Sequence, residues 1–84
     1  MYTIKFDKEA IAFLSKLHDP LKRRIFSKLI STKDNPFRFF NRLEGRKDFS
    51  LRIGDYRVIA DIDQNSKKIE ITLIDHRSKV YQRM

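Results

Sequence analysis

The sequence predicts an α+β fold in which two N-terminal helices pack on one face of a mostly antiparallel four-stranded sheet, in the chain order β-α-α-β-β-β. Three observations predict it. Apolar side chains fall at helical spacing between residues 8 and 30, and at every second position from residue 49 to residue 73. A short alternating segment, residues 2–6, precedes the first helix.

The alternation of Tyr2, Thr3, Ile4, Lys5 and Phe6 predicts a first strand with one buried face. Asp7 stands where a carboxylate can cap a helix over residues 8–18, whose stripe is Ala10, Ile11, Leu14 and Leu17. Asp19-Pro20 signals a second helix start, followed by Leu21, Ile25 and Leu29 with Phe26 and Ile30 beside them. Lys33-Asp34-Asn35-Pro36 ends that helix. Residues 37–48 show no period, and Phe37, Phe39, Phe40 and Leu43 are expected as anchors beneath the sheet, around one irregular turn. Phe49, Leu51 and Ile53 then mark a second strand, and Tyr56, Val58, Ala60 and Ile62 a third. After a polar turn at residues 63–67, Ile69, Ile71 and Leu73 supply the core face of a fourth.

A chain of 84 residues suits one domain, residues 1–84, with one core. Charged residues make up 36% of it, and 19 Lys+Arg against 11 Asp+Glu leave +8, which points to a polyanionic partner, nucleic acid first. No apolar run approaches the roughly 20 residues of a membrane span, and the N-terminus has no apolar signal segment. The expectation is a cytoplasmic protein with no membrane partner. Without cysteine there is no disulfide or thiolate chemistry, and two histidines, His18 and His76, exclude a histidine-rich metal site. No cofactor is expected.

If Gly54-Asp55 is a two-residue hairpin loop, Ile53 lies opposite Tyr56, Leu51 opposite Val58 and Phe49 opposite Ala60, all facing the helices. The same register sets Arg52 directly opposite Arg57 on the other face, a destabilising arrangement of like charges. Pairing Ile62 with Ile69 in the simplest register then puts Ile74 beside Arg57 and His76 on the arginine side just beyond it. Arg77, Lys79, Tyr81 and Arg83 follow. Arg52, Arg57, His76, Arg77 and Tyr81 thus form a candidate catalytic cluster, in which guanidinium forks suit the oxygens of a phosphodiester.

The same residues carry a resemblance to a known family. Asn35-Pro36-Phe37, Leu43-Glu44-Gly45, the run from Leu51 to Ile59 (Leu-Arg-Ile-Gly-Asp-Tyr-Arg-Val-Ile) and the run from His76 to Tyr81 (His-Arg-Ser-Lys-Val-Tyr) resemble the RelE/ParE toxin superfamily of prokaryotic toxin–antitoxin systems. The resemblance covers essentially the whole chain. It implies a microbial-ribonuclease-like sheet and, in the RelE-like branch, a ribosome-dependent endoribonuclease that cuts mRNA during translation. It also implies a cognate acidic, RelB-like antitoxin, with the ribosome and mRNA as further partners. Arg52 and Arg57 match the family's basic strand residues, Arg77 its basic or histidine position, and Tyr81 its terminal aromatic. Some ribosome-dependent members have two lysines where this chain has Ser50 and Arg52, and glycine and tyrosine are frequent where it has Asp75 and Ala60.

Metal-free RNA cleavage proceeds by attack of the 2′ hydroxyl on the adjacent phosphorus. Arginine stays protonated and cannot take the proton, which leaves Tyr81 or His76. Arg57 and Arg77 would hold the phosphate and Arg52 the backbone, with Arg46, Lys47, Ser50, Lys79 and Arg83 as further RNA contacts. Lys22, Arg23, Arg24 and Lys28 read as the solvated face of the second helix, and His18 as a helix-terminus residue. Two other classes fit the sequence: a ParE-like toxin that inhibits DNA gyrase by binding it, and a non-catalytic RNA- or ribosome-binding module.

Overall fold

The N-terminal alternation forms strand β1 (Thr3–Phe6), and the chain leaves it directly into helix α1 (Lys8–Lys16) in the computed structural model, which describes residues 1–84. Asp7 occupies the N-cap position, and its backbone carbonyl accepts the Ile11 N–H at 2.9 Å, but its carboxylate caps nothing. Helix α1 stops two residues short of the expected end, because Leu17 turns to extended backbone. Helix α2 (Leu21–Ser31) follows, with Pro20 rather than Asp19 at its N-cap; Asp19 instead reaches Arg23 at 3.5 Å. At its C-cap the buried Thr32 donates its hydroxyl to the Leu29 carbonyl at 2.7 Å, so this core polar group is satisfied.

The aperiodic segment holds a 3-10 turn (Pro36–Arg38) and a two-residue strand, β2 (Asn41–Arg42). Strands β3 (Phe49–Ile53), β4 (Tyr56–Asp63) and β5 (Lys68–His76) follow, and a second 3-10 turn (Val80–Gln82) ends the chain. The sheet therefore has five strands, not four, in the order β1-β5-β4-β3-β2. Strand β1 lies parallel to β5, Thr3 beside Lys68 and Phe6 beside Ile71, and all other pairings are antiparallel.

Both helices bury their apolar stripes on one face of this sheet. Ala10, Leu14, Ile25 and Leu29 join Leu51, Ile53, Val58, Ala60, Ile69, Ile71 and Ile74 in one cluster, to which Phe40 also belongs. Ile11, Phe26 and Ile30 of the helical stripes stay exposed, as does Phe37. Phe37 packs edge-on against Tyr2 and Phe49, its ring centroid 6.3 and 5.6 Å from theirs.

The β3–β4 hairpin has the expected register throughout, including Arg52 opposite Arg57. Gly54 opens its loop at φ +59°, the positive-φ first position that glycine fills without strain. The β4–β5 register begins as expected, with Ile62 opposite Ile69, but then slips. Ala60 pairs with Ile71 and Ile59 with Leu73, so Thr72 is an extra residue on β5, a β-bulge whose hydroxyl donates to the Ile59 carbonyl at 3.2 Å. A one-residue slip exchanges faces. Beyond the bulge Ile74 turns into the main core, while Leu73 turns away from the helices. There Leu73, Ile59 and Val80, with Leu43 against them, build a second small cluster, so the face opposite the helices is partly covered by the terminal turn.

Candidate active site

The bulge decides which side chains meet. Arg57 stands opposite Arg52 on one side and, because of the slip, opposite Asp75 rather than Ile74 on the other. His76 pairs with Tyr56, whose ring lies 5.6 Å from the imidazole and 6.1 Å from that of Phe13 on α1. The expected placement of Ile74 beside Arg57, with His76 on the arginine face just beyond it, is thus corrected: His76 turns with Tyr56 toward the helical side. Its Nδ1 lies 2.9 Å from the Ser78 hydroxyl and accepts the Ser78 N–H at 3.4 Å.

Tyr81 does reach the arginine face. Val80, fully buried against Ile59 and Leu73, anchors the terminal turn. The next residue, Tyr81, lays its half-exposed ring against Arg57, the guanidinium carbon 5.5 Å from the ring centroid. Arg57 is half-buried, and its Nε, shut off from solvent, has no hydrogen-bond partner. A buried donor without an acceptor is costly. Arg52 is exposed and turned along its own strand, its Nε donating to the Gly54 carbonyl at 3.0 Å. Arg77 is exposed at the end of β5, where its N–H holds the Asp55 carbonyl at 2.8 Å and its Nε lies 4.0 Å from the Asp55 carboxylate.

Asp75, which the sequence reading did not place in the site, is buried beside this cluster. Its Oδ1 accepts the His76 N–H at 2.7 Å and its Oδ2 accepts from Arg83 Nη1 at 2.7 Å. Arg83 also pairs with Glu9 of α1 through Nη2. The guanidinium of Arg83 is therefore held between two carboxylates rather than free for RNA. Ser50 is 5% exposed, between Asn41 of β2 and Ile59 of β4, and offers no surface to a ligand. Lys79 is exposed; so are Arg46 and Lys47, in the β2–β3 loop, Arg46 tied to Asp48 at 3.0 Å. Arg46 and Lys47 line an open hollow with residues 42–45. A second open hollow, between α2 and the β3–β4 hairpin, is lined by Arg24, Lys28 and Arg52. The signal that could have found Asp75 is the apolar pair Leu73-Ile74, since two adjacent apolar residues on a half-buried strand admit a change of face.

The two carboxyl groups with displaced pKa values lie at the far end of the sheet. Asp63 is held below the ordinary value by hydrogen bonds from the Ser66 side chain and from the Ser66 and Asn65 amides. Glu70 is raised above it by a hydrogen bond to Asp7 and by the charge of that carboxylate.

Residues 4–81 match the family model of the ParE toxin of the type II toxin–antitoxin system parDE. Among solved structures, the toxin–antitoxin complex RelBE2 from Mycobacterium tuberculosis is similar at 29% identity and TM-score 0.80, over 90% of this chain and 98% of that one. The archaeal RelE–RelB complex from Pyrococcus horikoshii is similar at 27% identity and TM-score 0.79, over 94% and 98%. The intact E. coli RelBE complex shares the fold at 18% identity and TM-score 0.78, over 90% and 96%. No significant match was found among curated protein sequences.

Proposed function

This chain belongs to the ParE toxin family of the RelE/ParE superfamily, toxins of type II toxin–antitoxin systems, and from that premise we propose that it is an endoribonuclease that cuts mRNA on the ribosome. One observation carries the reading. The half-buried Arg57, with an unpartnered Nε, sits against the Tyr81 ring and opposite a second arginine. Two cations forced together beside a phenol have a physical reason to exist if an anion joins them. The scissile phosphate is that anion.

In this reading Arg57 binds the non-bridging oxygens and stabilises the charge that grows as the 2′ oxygen attacks phosphorus. The attack forms the 2′ O–P bond of a 2′,3′-cyclic phosphate and breaks the P–O5′ bond, and the departing 5′ oxygen takes a proton from water and leaves as a hydroxyl. Tyr81 is the candidate to take the 2′ proton, because it shares the Arg57 face; His76, packed with Tyr56, is set apart from it. Arg77 and Lys79 add positive charge where β5 ends, and Arg52, Arg46 and Lys47 extend the basic surface along the strand. A partner antitoxin of acidic character follows from the charge of +8 and from the antitoxin-bound state of the similar toxins.

The test is cleavage by the purified protein of an mRNA loaded on ribosomes, alone and with Arg57→Ala or Tyr81→Phe. Cuts made by the parent and lost in both variants support the reading. Full cleavage by both variants sinks the site. The second reading, a gyrase-directed toxin that binds its target, is favoured by one observation, the match to the ParE model itself. Inhibition of gyrase supercoiling by the protein, undiminished in Arg57→Ala, would put it first.

A further inference from the structure

Asp75 poses a problem for an anion site. It is a carboxylate, buried, directly opposite Arg57 in the sheet, and Arg57 carries a buried Nε with no acceptor. Directly opposed residues of an antiparallel pair lie about 4.5–5.5 Å apart at Cα, so the two side chains are within reach without any backbone movement. A direct Asp75–Arg57 pair would neutralise the guanidinium that the phosphate needs. That pair is not formed. One Asp75 oxygen holds the His76 N–H, and the other holds Arg83, which is itself steadied by Glu9 of α1.

We propose that Arg83 is a positioning residue: by holding the Asp75 carboxylate, it keeps that carboxylate off Arg57 and so keeps the anion site open. The proposal rests on the reading of this face as an RNA-cleaving site and adds a residue that acts on it through another. A buried carboxylate deprived of one cation takes the next one available. Without Arg83 that cation is Arg57. The three residues then behave as a relay with two arrangements: Arg83 on Asp75 with Arg57 open, or Asp75 on Arg57 with the site closed. Because Arg83 comes from the last turn of the chain, anything that lifts this turn closes the site as well as removing Tyr81 from it.

The test reads the anion site directly, with inorganic phosphate as the probe and the Nε–Hε resonance of Arg57 as the reporter. In the unchanged protein the resonance shifts saturably on titration. In Arg83→Ala the apparent phosphate affinity falls by roughly ten- to a hundredfold, the range expected when a charge-assisted bond must first be broken. Adding Asp75→Asn to Arg83→Ala restores it, because an amide no longer competes for Arg57. Arg83→Lys, which keeps a cation on Asp75, retains most of the affinity and shows that the terminal turn still folds. Cleavage by the same four proteins follows the same order. Unchanged affinity in Arg83→Ala overturns the proposal and leaves the nuclease reading standing. A double variant as weak as Arg83→Ala also overturns it, since Arg83 then serves the segment or the ligand rather than acting through Asp75. A parent protein whose Arg57 ignores phosphate overturns the proposal and the anion site together.

Discussion

Val80 is the single apolar anchor of the terminal turn, and Val80→Ala isolates its contribution. The side chain is fully buried against Ile59 and Leu73 on the face away from the helices. Trimming it removes two methyl groups, worth about 1.6 kcal/mol at about 0.8 kcal/mol per carbon before any cavity is counted. The turn is otherwise held by short backbone bonds, Lys79 N–H to the His76 carbonyl and Arg83 N–H to that of Val80, and by the Arg83 pairings. The loss therefore falls on local opening of residues 80–84, while the main core, built by other residues, keeps its own stability. Amide hydrogen exchange is the assay. Protection at Gln82 and Arg83 should drop by about tenfold or slightly more, since about 1.4 kcal/mol is one decade. Protection at Val58 and Ile71 should change far less. Equal losses at the turn and in the strands would refute the picture of a terminal turn that opens separately. So would unchanged protection at the turn.

Arg57→Ala should abolish cleavage yet leave stability within about 0.5 kcal/mol or raise it, because it removes a like-charge opposition and an unpartnered donor; urea unfolding reads this. Ile25→Ala or Leu29→Ala, each from a side chain with no exposure, should cost about 2–5 kcal/mol in the same assay. Glu70→Gln should raise the thermal midpoint at pH 7. The raised carboxyl pKa means that the folded state is penalised above the folded value and relieved below the unfolded one, so the gain should vanish as the pH falls below about 4.3. Asp63→Asn should act oppositely. The depressed pKa contributes stability that is present above about pH 3.9 and lost as the pH falls through the folded value, so the variant is less stable at neutral pH and the difference closes in acid.

The sequence was most legible where two periods agreed. Gly54-Asp55 between two alternating runs set the β3–β4 register to the residue, and the opposed arginines followed from it. It was least legible at Thr72. The alternation Ile69, Ile71, Leu73 runs straight through the bulge, so the adjacent apolar pair Leu73-Ile74 is the one mark the pattern leaves of the change of face. That one residue exchanged the places of His76 and Asp75 and hid the carboxylate that shapes the site. Strand β2 was missed because two residues carry no period, and Ser50 was read as surface because its partner Asn41 on that strand was unseen. Arg83 looked like a free basic residue because Glu9 is remote in sequence and Asp75, although near, falls on the other face in the expected register.

The most direct measurement is a map of mRNA 5′ ends after brief induction of the protein in cells, with Arg57→Ala induced in parallel. New ends inside translated codons are expected for the unchanged protein and none for the variant. Arrested growth without new ends, or the same ends from Arg57→Ala, would contradict the nuclease reading.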